Sequence, residues 1–178
     1  MVALAQYSTP TIQMHAYVVI PKYGVGQIDK IANHSVANMS CKIVSIKLLH
    51  GQVCIQIPFN NLKTFQVRSL SSPKIICQAL TILEEQKNTR HSNALLTDYL
   101  HTGSPLFWAK IIRQIAHQHQ KQELSYTEHN LYSEALERLA HEMRLILDIS
   151  YEEAKEKINS AARSKHIINR EPASQYAL

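Results

Sequence analysis

The apolar residues of this chain change their period once, at Ser71-Ser72-Pro73, and no other feature constrains the fold as much. Before that point the apolar positions form short β-like runs at 15–20 (HAYVVI), 25–36, 41–48 (CKIVSIKL), 53–57 (VCIQI) and 62–67 (LKTFQV). Pro21-Lys22-Tyr23-Gly24, His50-Gly51 and Pro58 punctuate them as turns or stops. Five strands joined by short turns predict a small closed or half-closed barrel. After Ser71-Ser72-Pro73 the period becomes helical, with serine at the N-cap and proline at the first helical position, where its missing N–H costs nothing.

The later segments mark their own ends and predict helices over 73–86, 90–101, 105–120, 126–147 and 151–163. In "HTGSPLFW", Gly103 suits a left-handed helix C-terminus, Ser104 the next N-cap and Pro105 the first position. "SYTE" (Ser125, Glu128) and "SYEE" (Ser150, Glu153) fit the capping box, in which hydroxyl and carboxylate satisfy orphan N–H groups reciprocally. On the fourth helix Tyr132, Leu136, Leu139, Met143 and Ile146 fall on one stripe, which leaves the carboxylates on a solvated face. The expected class is α+β: a loose leader over 1–14, a Tudor/SH3-like β-barrel over 15–70, an all-α domain over 71–163 and a frayed tail over 164–178, with a modest interface between the two folding units.

Several function classes are excluded by residue pattern. "YVVIPKYGVGQIDKI" carries the glycines Gly24 and Gly26, but a phosphate-binding loop needs a helix straight after its last glycine, and the alternation here continues as a strand. Both read as turn and close-packing glycines. No GxxxxGK[ST] motif is present. Cys41, Cys54 and Cys77 are odd in number and widely spaced, which implies neither a disulfide framework nor a zinc site. His117 and His119, near His101 and His129, stand two apart and so lie on different faces of a helix, unlike metal-chelating pairs four apart. Trp108, beside Phe107, Ile111 and Ile112, reads as core. We expect no catalytic residue, metal or cofactor, no enzyme activity and no membrane span, in a soluble cytoplasmic protein.

Charge is unevenly placed. Residues 1–70 carry Lys22, Lys30, Lys42, Lys47, Lys63 and Arg68 against Asp29 alone, whereas 71–178 balance to zero with thirteen charges of each sign. Within the second part, Lys87, Arg90, Lys110, Arg113 and Lys121 face only Asp98 before an acidic stretch over 123–156. A basic patch therefore precedes an acidic helix.

The barrel pattern with "IPKYGVG" at its first turn, the order "GQVCIQIP", and a helical region with "LHTGSP" and "LSYTEHNLYSEALERLAHEM" together resemble the CarD/CdnL family of bacterial transcription regulators. The likeness runs from about Tyr17 to Ala162. It implies docking on the β subunit of RNA polymerase by strand addition, in which backbone hydrogen bonds tolerate sequence change. The strand would be Val53, Cys54, Ile55, Gln56 and Ile57, with His34 nearby; His34 and Gln56 occupy positions that are arginine in well-known members. The resemblance also implies that the helical domain lies against promoter DNA and supports the open complex. Counted back from "LHTGS", the family's minor-groove tryptophan falls at Thr89, followed by Arg90 and His91. Without that wedge, DNA contact should be weak and sequence-blind, through Lys87, Thr89, Arg90, His91, Lys110 and Arg113. The reading is a monomeric regulator that modulates open-complex stability; a protein-interaction adaptor without DNA contact is the alternative.

Overall fold

The computed structural model describes residues 10–36, 39–51, 53–85, 90–119 and 123–163. Four antiparallel strands come first, β1 (Tyr17–Ile20), β2 (Gly24–Val36), β3 (Met39–Leu48) and β4 (Cys54–Pro58), paired in the order β1-β2-β3-β4. Five helices follow, α1 (Pro73–Glu84), α2 (Asn93–His101), α3 (Pro105–His119), α4 (Tyr126–Leu147) and α5 (Tyr151–Arg163). The expected barrel-plus-helices architecture is the observed one. Most of the leader and all of the tail lie outside the described residues, although Ile12, within the leader, packs against the barrel core.

The first turn resolves the question of the paired glycines. Gly24 closes the turn at φ 93°, and a Cβ at Gly26 would stand 2.6 Å from Ile46 Cγ2 on the paired strand. These are turn and close-approach glycines, as expected. A β-bulge at Asp29 lets Ile28 oppose Ile46 while Ile31 opposes Val44, so two residues three apart both face inward.

The expected fifth strand over 62–67 does not form. Pro58 ends β4, a short 3-10 helix spans Phe59–Asn61, and the chain turns with Gln66 at φ 52°. A strand with Leu62 inward would also bury Thr64 and Gln66 and send Val67 outward. The turn instead joins Val67 N–H to Leu62 O at 3.0 Å and buries both side chains together. Arg68 then bridges to Val19 on the outer side of β1, so the sheet is partly closed.

Strand β1 is the wall between two cores. Val18 and Ile20 point into the barrel cluster with Ile28, Val44, Ile46 and Ile57, while Val19 joins the helical cluster around Trp108, Ile112, Leu139 and Met143. A strand buried on both faces reads as a continuous apolar run, as YVVI does. Gly103, at φ 69° between α2 and α3, sits against Pro21 of the first barrel turn, where a Cβ would lie 2.8 Å from the proline Cα.

The helix signals hold closely. Ser125 and Glu128 form the full capping box at α4, and α4 and α5 span the expected residues. Ser92 caps α2 through its side chain, which starts that helix three residues later than expected. The solvated carboxylate face of α4 is corrected: Glu128 is buried and Glu142 is 0% exposed. Glu142 forms two 2.8 Å bonds with the Arg68 guanidinium and accepts from the Ser71 backbone N–H, also at 2.8 Å. Arg68 is itself buried and donates further to the Gly103 and Ser69 carbonyls.

Breaking one side of such a pair strands a buried charge. Glu142→Leu should lower the unfolding free energy by about 3–5 kcal/mol in urea titration, and adding Arg68→Met to it should recover part of that loss. A double variant as unstable as the single one would show that the Arg68 contacts to backbone carbonyls, rather than the ion pair, hold the junction.

Candidate functional site

Strand β4 lies at the edge of the sheet, paired on one side with β3. Ile57 is buried in the barrel and Ile55 packs against its core, while Val53, Cys54 and Gln56 are exposed. The backbone direction follows from the register. Leu48 N–H donates to Val53 O at 2.9 Å, which sets the bonded pairs at 48 with 53, 46 with 55 and 44 with 57. Ile55 and Ile57 therefore turn their N–H and C=O groups toward β3, and Cys54 and Gln56 turn theirs to the outer edge. Pro58, the next outward position, has no N–H to offer, which is where an edge strand tolerates proline. Lys42 stands over the Phe59 ring at 4.9 Å beside this edge. His34 is exposed on β2 opposite Cys41, with β3 between it and β4, so it does not share the edge.

Of the residues expected to face DNA, Lys87 and Thr89 lie outside the described residues. Arg90 is exposed ahead of α2. His91 is fixed through its backbone, whose N–H donates to Gln114 Oε1 and whose carbonyl accepts from Gln114 Nε2, both at 2.9 Å. Gln114 is buried on α3, and sequence reading missed it because a lone glutamine on an apolar face carries no periodic signal. The His91 ring meets the edge of Tyr99 at 5.4 Å, Tyr99 meets Phe107 at 4.5 Å, and Lys110 Nζ lies 4.9 Å over Phe107. The structure thus brings His91 and Lys110 into one half-exposed ladder with two aromatic rings between them.

Arg113 is turned elsewhere. Its guanidinium pairs with Glu85 at 2.9 Å and donates to Ile82 O at 3.3 Å, which ties the C-terminus of α1 to α3. Trp108 is fully buried and its indole N–H donates to Leu100 O at 3.1 Å, in accord with the core reading. Near Arg90, the Glu128 carboxyl is held below its ordinary range first by the Ser125 N–H, then by the Ser125 hydroxyl, with the Arg90 charge adding.

Residues 75–159 match the family model of the CarD C-terminal domain. No curated protein matches the chain. No helix among the described residues is long and apolar enough to cross a membrane.

The two cations of α3 should separate in a stability measurement. Arg113→Ala should lower the urea-derived unfolding free energy by about 1–2 kcal/mol, because the α1 carbonyl and Glu85 lose a charged donor. Lys110→Ala should stay within about 0.5 kcal/mol. Equal losses would mean that the Arg113 contacts contribute no more than a surface charge.

Proposed function

We propose, from the match of residues 75–159 to the CarD C-terminal domain, that this chain is a non-enzymatic CarD/CdnL-type transcription regulator that docks on the RNA polymerase β subunit through β4 and presents its helical half to promoter DNA. The observation that carries the docking step is the outward N–H and C=O row of Cys54 and Gln56 on an edge strand. An incoming polymerase strand would pair with these groups, and the exposed Val53 and Gln56 side chains would flank it. Because backbone groups supply the contact, the absence of arginine at His34 and Gln56 weakens docking without abolishing it.

On the helical half, Arg90 and the His91–Tyr99–Phe107–Lys110 ladder would meet the DNA. Half-exposed rings next to cations suit backbone contact with stacking on unpaired bases, which needs no base readout. The commitment of Arg113 to α1 removes one cation from this surface and favours a modest affinity. The protein would alter open-complex lifetime without a chemical step, as a cytoplasmic monomer whose barrel and helical units, divided near residue 71, take the two partners separately.

Backbone direction makes the docking test specific. Gln56→Pro removes an outward N–H and should abolish capture of the isolated polymerase β lobe, while Gln56→Ala should change it little. Ile55→Pro removes an N–H directed at β3 and should cost fold stability as well. Equal capture by wild type and Gln56→Pro would exclude strand addition.

For DNA, Arg90→Glu with Lys110→Glu should weaken binding about equally on all duplexes. Each lost phosphate contact should flatten the log–log salt slope by about 0.9. Absence of DNA affinity even at low salt, with polymerase capture intact, would leave the adaptor function in its place.

A further inference from the structure

Three side chains at the junction of barrel and helices converge on one carboxylate oxygen. His50 stands at the turn between β3 and β4, and Glu137 and His141 stand one turn apart on α4. His50 Nδ1 lies 3.4 Å from Glu137 Oε2, and His141 Nε2 lies 3.7 Å from the same oxygen. All three candidate ligand atoms fall within 4.8 Å of one another. Both distances exceed the roughly 2.7–3.2 Å of an N–H···O bond. They are close to the separation of two ligands on one tetrahedral ion: at bonds of about 2.1 Å, the edge of the tetrahedron is about 3.4 Å.

The surroundings suit a bound cation. The His141 ring is stacked on Tyr151 at 4.7 Å, which fixes its plane. The Glu137 carboxylate lies within reach of both imidazoles and supplies the negative charge a cation needs. The His50 side chain is 68% exposed, against 21% for Glu137 and 13% for His141, so the cluster opens to solvent on the His50 side. Two imidazoles and one carboxylate with an open fourth position form a donor set typical of zinc, and too rich in nitrogen for magnesium or calcium.

We propose that His50, Glu137 and His141 bind one Zn²⁺ ion that clamps the β3–β4 turn of the barrel to α4, with water in the fourth position. The ion would sit four residues ahead of Cys54, where β4 begins. Its binding would therefore fix the base of the edge strand against the helical half. This inference does not depend on what that strand binds.

The test uses the full chain, stripped of metal by a chelator and then titrated with Zn²⁺, and with Co²⁺ as a spectroscopic probe. One equivalent of Zn²⁺ should bind and raise the melting temperature, and Co²⁺ should give the intense visible absorption of a four-coordinate site. Mg²⁺ should do neither. His50→Ala, at an exposed position, should leave the metal-free stability unchanged and weaken Zn²⁺ binding at least tenfold, and Glu137→Gln should weaken it likewise. Absence of stoichiometric binding would overturn the proposal. So would binding that survives in His50→Ala, since the ion would then lie among other histidines.

Discussion

The buried pair of Arg68 and Glu142 is the constraint on which the rest of the arrangement depends. Two charges taken out of water are tolerated only when each is met by opposite charge and hydrogen bonds, and here both are. Arg68 is also the residue that bridges back to β1, Ser71 begins the link to α1, and the Gly103 carbonyl belongs to the turn before α3. One guanidinium thus joins the end of the barrel, the linker, the α2–α3 turn and α4. Apolar surfaces alone would let the wall formed by β1 slide against the helices. A forked ion pair has one geometry.

Helix α4 supplies the partners for that junction in two adjacent stripes. Glu137 and His141 form one, facing His50; Arg138 and Glu142 form the other, facing the first barrel turn and Arg68. Arg138 donates to the carbonyls of Pro21 and Lys22 at 3.2 and 2.9 Å and to Leu100 O at 2.9 Å. Burial lowers its affinity for the proton, and the neighbouring Glu134 partly restores it. In the sequence this stretch, LERLAHEMR, looks like the wet side of an amphipathic helix. It is the side that meets the barrel.

That contrast shows where sequence reading reaches its limit. Capping boxes, proline at N1 and glycine at a left-handed terminus are local, so α4 and α5 were legible to the residue and the break at Gly103 was legible as a turn. Strand positions were legible where alternation was strict. The segment 62–67 was not, because Leu62 and Val67 are brought together by a turn, a geometry that mimics alternation over so short a run. Of the edge strand β4, the position was readable and the direction of its N–H groups was not, since that depends on which pairs with β3 are bonded. Arg68 and Glu142 are separated by 74 residues and have no periodicity in common. A polar residue buried by a second contact face leaves no trace in a pattern that describes only the first.

Three polar links between barrel and α4 among the described residues differ in how much water they see, and that ordering assigns them different tasks. Arg68 and Glu142 are sealed, with side chains 6% and 0% exposed, so their geometry persists as long as the fold does. Arg138 is largely covered but binds backbone carbonyls of a turn, a contact that positions without depending on any one barrel side chain. His50, by contrast, reaches Glu137 from solvent. An exposed link contributes little on its own, because solvent screening and side-chain entropy offset the attraction. It is also the one that faces solvent, where the proposed ion would bind. The sealed links hold the first barrel turn and the linker against the helices, and the accessible one is where the proposed ion would add to that attachment.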